Sequence, residues 1–180
     1  MNLIISFSAR ENGNCDQIAK YIATESDKII YLRKMDIHPC MNCNYECFDG
    51  ECIYRGDDIY GIYDEMCNYE KAILLVPMYC GNPSSLYFIF NERCQDYFMH
   101  NENYEDIVKR LYIIGIYGDE EKSPDFIPCF EKWFDCSSAS GHVLGIERHP
   151  YNQKIGDSIL EVEEVREKIR KFVTGFMNKK

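Results

Sequence analysis

Five short apolar runs, most of them separated by segments of helical period, constrain this chain more than any other feature. Leu3 to Phe7, Ile29 to Leu32, Ala72 to Val76, Leu111 to Tyr117 and His142 to Ile146 are rich in aliphatic and aromatic residues, the pattern of strands covered on both faces. Between them, Cys15, Ile18, Ala19 and Ile22 keep a spacing of three and four, as do Ile59, Ile62, Tyr63, Met66 and Cys67. Each stretch predicts an amphipathic helix that buries one stripe against a sheet. A third helix is expected over Pro83 to Phe98, with Leu86, Phe90, Cys94 and Phe98 inward and Asn82 or Ser84 as its cap. The last is expected to bury Ile155, Ile159, Val162, Ile169, Phe172, Val173 and Phe176, with Lys179 and Lys180 complementing the negative end of the helix dipole.

Strands alternating with helices require crossover connections, and these give a parallel sheet. Five such units predict an α/β, flavodoxin-like, doubly wound five-stranded parallel sheet with helices on both faces. A length of 180 residues suits one domain over 1–180, with one irregular cysteine-rich loop at 36–57. Hydrophobic residues at 46% and charged residues at 28% are globular values. There is no apolar run of the ~18 residues a spanning helix needs, and MNLIISFSAR carries no basic leader, so a cytoplasmic location without membrane partners is expected. Twenty basic residues against thirty acidic ones give a net charge of -10, which argues against nucleic acid, whose binding rests on neutralised phosphates.

In a doubly wound sheet, ligands lie beyond the carboxyl ends of the strands. Three loops reach that edge. SARENGNC, Ser8 to Cys15, leads from the first strand into the first helix, where free amides and the dipole favour an anion. Gly13 permits close backbone approach there, Ser8 and Asn14 are hydrogen-bond donors, and Arg10 can pair with phosphate oxygens. VPMYCGNPSS, Val76 to Ser85, forms a stiff turn in which Tyr79 offers a flat aromatic face. YIIGIYGD, Tyr112 to Asp119, adds Gly115, Tyr117 and Gly118.

Together these residues resemble the NAD(P)H-dependent FMN reductase branch of the flavodoxin-like proteins, in particular the iron-sulfur flavoproteins. The family's first loop reads Gly-Ser-x-Arg-x-x-Gly-Asn-Thr. Ser8, Arg10, Gly13 and Asn14 match it, while Phe7 and Cys15 replace the glycine and the hydroxyl residue. Its Pro-x-Tyr-x-Gly loop beneath the isoalloxazine resembles Pro77, Met78, Tyr79, Cys80, Gly81 and Asn82. The resemblance implies bound FMN, NAD(P)H or a small redox protein as electron donor, and a homodimer or higher homo-oligomer in which the cysteine loop of one subunit faces the flavin of another.

The cysteine loop carries the most specific motif. CMNCNYECFDGEC places Cys40, Cys43, Cys47 and Cys52 within one run, and four thiolates can complete a zinc site or a 4Fe-4S cluster. Zinc ribbons usually divide their ligands between two separated knuckles, so the compact run favours the cluster, which is also what the resemblance implies. Reduced thiols without metal remain a third possibility. Glu46, Asp49 and Glu51 would lower the potential of a bound cluster. Cys67, Cys94, Cys129 and Cys136 read as packing residues. No Ser-His-Asp set or distinctive carboxylate pair appears, so no catalytic side chain is singled out. The expected activity is an FMN-dependent oxidoreductase passing electrons between cluster and flavin. The alternatives are a cluster-free NAD(P)H-dependent FMN or quinone reductase and a non-catalytic zinc or thiol-rich interaction module.

Overall fold

The computed structural model describes residues 1–41, 43–134 and 141–175. The packing role expected of Cys136 and the helix end expected at Phe176, Lys179 and Lys180 lie outside the described residues.

Strand β1 (Asn2–Ser6) leads into helix α1 (Asn14–Ile22) and strand β2 (Lys28–Tyr31). The irregular loop is followed by α2 (Asp58–Met66), β3 (Lys71–Tyr79), a two-residue strand β4 (Asn82–Pro83) and α3 (Ser85–His100). Then come α4 (Tyr104–Arg110), β5 (Leu111–Tyr117), the short α5 (Pro128–Glu131), β6 (Val143–Glu147) and α6 (Glu163–Thr174). The strands stand in the order β2-β1-β3-β5-β6, all four neighbouring pairs parallel, and β4 folds back antiparallel on the end of β3. This is the flavodoxin-like arrangement, with β4 as an addition to the five expected strands.

Alternation along β1 divides the core in two, because successive side chains of a strand point to opposite faces. Leu3 and Ile5 pack with Ile59, Ile62 and Tyr63 of α2 and Tyr87 and Phe90 of α3. Ile4 packs on the other face with Ile18 and Ala19 of α1 and Val165, Ile169 and Phe172 of α6. β3 runs three residues past Val76, which carries Pro77, Met78 and Tyr79 to the carboxyl edge of the sheet.

Ser84 caps α3 by accepting from Tyr87 N, and its hydroxyl also donates to Phe7 O at 2.8 Å; Asn82 belongs to β4 instead. The last helix is shorter than its periodicity suggests. It begins at Glu163, and Ile155 lies in the preceding loop, 74% exposed. Asp157 accounts for the difference: its carboxylate accepts from Lys154 N at 2.8 Å, forming a side-chain turn that competes with helix. Gly175, in the left-handed region at φ +79°, ends α6 as a glycine C-cap does.

Candidate functional site

The first loop is built around a buried ion pair that its local pattern does not announce. Asp16, on the first turn of α1, receives Nη1 and Nη2 of Arg33 at 3.0 and 2.8 Å, the Ser6 hydroxyl at 2.8 Å and Asn12 N at 2.9 Å. Arg33 also donates to Ser8 O at 3.2 Å, so this one guanidinium fixes the loop against α1. Ser8 Oγ donates to Arg10 O at 2.9 Å and accepts from Arg10 N at 3.1 Å. Tyr79 Oη of the second loop lies 3.4 Å from it. Gly13 is the cap residue of α1; a Cβ there would stand 3.5 Å from Ser8 Oγ and 3.6 Å from Arg10 Nε. Asn14, expected as an anion donor, does different work. Its Oδ1 accepts from Ile159 N at 2.9 Å and its Nδ2 donates to Asp157 O at 3.3 Å, tying the segment before α6 to α1.

Beyond this loop opens a cavity of about 390 Å³ at the carboxyl edge of the sheet. The first loop contributes Ser8, Arg10, Asn14 and Cys15, the second Pro77, Met78, Tyr79 and Cys80, and the third Tyr117 and Gly118. Four predicted contacts stand elsewhere. Gly115 lies inside β5, where a Cβ would meet Phe130 at 2.8 Å and Ile127 at 2.9 Å, so helix packing requires this glycine. Gly81 turns the hairpin at φ +81°, and Asn82 pairs with Tyr79 in β4. Gly13 borders a smaller adjoining cleft with Arg10, Asn14 and Asp157.

The cavity also takes Ile116, Arg148 and Ile155, which sequence reading missed. Arg148 follows β6 directly, and the same carboxyl-edge rule applied to the fifth strand would have found it. Its backbone N–H donates to Tyr117 O at 3.1 Å, and that of His149 to Gly118 O at 2.9 Å, so this turn is pinned to the third loop. Nη2 of Arg148 donates to Gln153 O at 3.2 Å, whereas Nε is buried without a hydrogen-bond partner. Burial lowers the Arg148 pKa, Asp157 opposes that shift, and the charge of Arg10 adds to it. Burial, then Asp16, pushes the Cys15 thiol well up, while burial with Glu120 and Glu147 holds the Tyr117 phenol at about 12. The cavity thus combines two cations with apolar and aromatic surface.

The cysteine loop forms a second cavity, of about 430 Å³, which Cys40, Cys43, Cys47 and Cys52 all line together with Glu92, Arg93 and Asp96 of α3. Arg93, 2% exposed, donates to Asp57 Oδ2 at 2.6 Å, His38 O at 2.9 Å and Tyr54 O at 3.0 Å, and so holds both ends of the loop. Glu92 accepts from Cys40 N at 2.6 Å. Desolvation and then Glu92 raise the Cys40 pKa; desolvation and then Asp96 raise that of Cys47. The four thiols share one cavity, but among the described residues no three His, Cys, Asp or Glu side chains stand close enough to hold a metal ion. As arranged, they do not form a cluster cradle. Cys67, Cys94 and Cys129 pack half-buried against the core.

No family model matches the chain. An iron-sulfur flavoprotein of Methanosarcina thermophila is 30% identical over 95 residues, 48% of this chain and 49% of that protein, so the likeness spans about half of each. Among solved structures, the Trp repressor binding protein of Bacillus subtilis superposes with a TM-score of 0.62 at 18% identity, covering 96% of this chain and 97% of the other. An FMN-dependent NADH-azoreductase of Bacillus anthracis, solved with FMN, superposes with a TM-score of 0.55 at 9% identity, covering 98% and 99%. The chain is therefore similar in sequence to an iron-sulfur flavoprotein, and it shares the flavodoxin-like fold of these structures. Among the described residues, no helix is long and apolar enough to cross a membrane.

Proposed function

We propose that the chain is an FMN-dependent oxidoreductase whose flavin occupies the cavity at the carboxyl edge of the sheet. The observation that carries this reading is the lining of that cavity, which joins the cations Arg10 and Arg148 to the aromatic and apolar surface of Tyr79, Met78 and Pro77. A buried guanidinium nitrogen without a partner, beside the amides that open α1, suits a phosphate, and a cavity of about 390 Å³ leaves room for an attached ring. Bound FMN would accept hydride from NAD(P)H, or single electrons from a small redox protein, and pass them on. The residues of the chain bind and orient it: the first loop and Arg148 at the phosphate, Tyr79 and Cys80 along the ring, Tyr117 and Gly118 at the far wall.

A second, finer reading gives the cysteine loop a metal centre. The convergence of four thiols on one cavity supports it, and the lack of a chelating group among the described residues counts against it, so the electron path proposed here does not pass through the loop. Met41, Tyr45, Phe48 and Ile53 leave an exposed apolar rim around that cavity, which supports a homo-oligomer closing over it.

The test is anaerobic purification followed by flavin, iron, acid-labile sulfide and zinc analysis, with NAD(P)H oxidation and gel filtration on the same preparation. Tight, stoichiometric FMN with NAD(P)H turnover supports the oxidoreductase. Iron with sulfide would add the cluster, and zinc would replace it. Failure to bind FMN would overturn the reading.

A further inference from the structure

The first loop alone is a weak phosphate cradle. The Asn14 amide is occupied by Ile159 and Asp157, the Ser8 hydroxyl is bonded within its own loop, and Cys15 offers a buried thiol where a hydroxyl would donate. Arg10 remains, exposed at the cavity mouth. The turn after β6 supplies what the loop lacks. Arg148 lines the same cavity, is fixed through its backbone to Tyr117 O, and keeps Nε buried and unpartnered. Asp157, the carboxylate whose charge reaches Arg148, already accepts from Lys154 N.

We propose that Arg148 is a specificity-determining residue, which selects flavin carrying a terminal phosphate over unphosphorylated flavin by contacting the phosphate together with Arg10. The proposal rests on the reading of this cavity as a flavin site. Two guanidiniums facing one cavity repel each other until an anion joins them, so binding energy from this pair goes to the phosphate and not to the ring. Arg10, exposed to solvent, attracts the anion; Arg148, from a pinned turn, fixes it.

The test measures dissociation constants for FMN and riboflavin by flavin fluorescence, and competition by inorganic phosphate, in wild type, Arg148→Met and Arg148→Lys. Circular dichroism confirms folding in each. Loss of a hydrogen-bonded charge contact predicts FMN binding weakened about ten- to hundredfold in Arg148→Met with riboflavin unchanged. Arg148→Lys should recover part of the loss, and phosphate should compete less well against FMN in the Met variant. Equal weakening of FMN and riboflavin would assign Arg148 to holding the Gln153 turn and overturn the proposal. So would unchanged FMN binding, or a wild type that binds both flavins equally, although FMN would still occupy the cavity in either case. A wild type that binds neither flavin would instead overturn the flavin reading, and this proposal with it.

Discussion

Asp16 shows how one side chain sets the shape of a ligand loop. It is 1% exposed and its side chain meets Arg33, itself 13% exposed, in a two-point ion pair. Removing one partner of such a pair leaves the other charge buried and uncompensated, at a cost of about 3–5 kcal/mol. Asp16→Ala should therefore lower the urea midpoint strongly, and Arg33→Met should act in the same direction. Because Arg33 also holds Ser8 O, both variants should lose flavin before they unfold, which a fluorescence titration below the unfolding transition would record. Cys94 carries a pH prediction of the opposite kind. Burial raises its thiol from 9.0 to about 11, so the folded state keeps a proton that the unfolded state releases. That contribution is complete below pH 9 and is lost as the pH climbs from 9 toward 11. Cys94→Ala should accordingly show a shallower fall in stability over that window than wild type, as read by denaturation midpoints at a series of pH values.

At the scale of elements, glycines separate what packing demands from what a helix tolerates. A Cβ on Gly115 would lie 2.8 Å from Phe130 and 3.0 Å from Phe126, and one on Gly145 would lie 3.1 Å from Ile127, so α5 and its approach rest directly on the backbones of β5 and β6. Gly115→Ala should destabilise by about 1–3 kcal/mol through overpacking. Gly61, in α2, has nothing within 4 Å of its Cβ position, and Gly61→Ala should stabilise by about 0.5–1 kcal/mol by restricting the unfolded chain. Thermal melts of the two variants should move in opposite directions. The strands were legible in the sequence because each is a buried parallel run, and α1 and α2 because one stripe carries their apolar residues. Gly115, expected at the ligand edge, packs against α5 and its approach, and a glycine near a strand end looks the same in sequence whether a cofactor or a helix approaches it. α6 was read too long because Ile155 and Ile159 continue its spacing while Asp157, between them, turns the chain. Asp16 and Arg33 stayed hidden because they are 17 residues apart and no local pattern records such a pair, whereas Arg148, directly after β6, was open to the carboxyl-edge rule.

Across the whole molecule, of net charge -10, Arg93 is buried beneath the thiol cavity, while Arg33 and Arg148 are half-buried, Arg33 holding the first loop and Arg148 lining the edge cavity. Arg93 joins the irregular loop to the sheet layers. Its guanidinium bonds backbone on both sides of the four cysteines, at His38 and Tyr54, and pairs with Asp57, whose other oxygen accepts from Ile59 N to cap α2. The four thiols are thus confined between two fixed points whether or not a metal joins them. The core face beneath, from Tyr63 to Phe90 and Tyr97, packs through stacked rings, with Ile37 and Cys52 of the loop resting against it. Arg93→Met should consequently free the loop while leaving the sheet folded. Limited digestion with a glutamate-specific protease should cleave at exposed Glu46 and Glu51 much faster than in wild type, with far-ultraviolet circular dichroism nearly unchanged. Any iron or zinc held by wild type should be lost in parallel, since ligands that are no longer gathered must be ordered at the moment of binding. Unchanged cleavage in a folded Arg93→Met variant would show that contacts within the loop order it without this anchor.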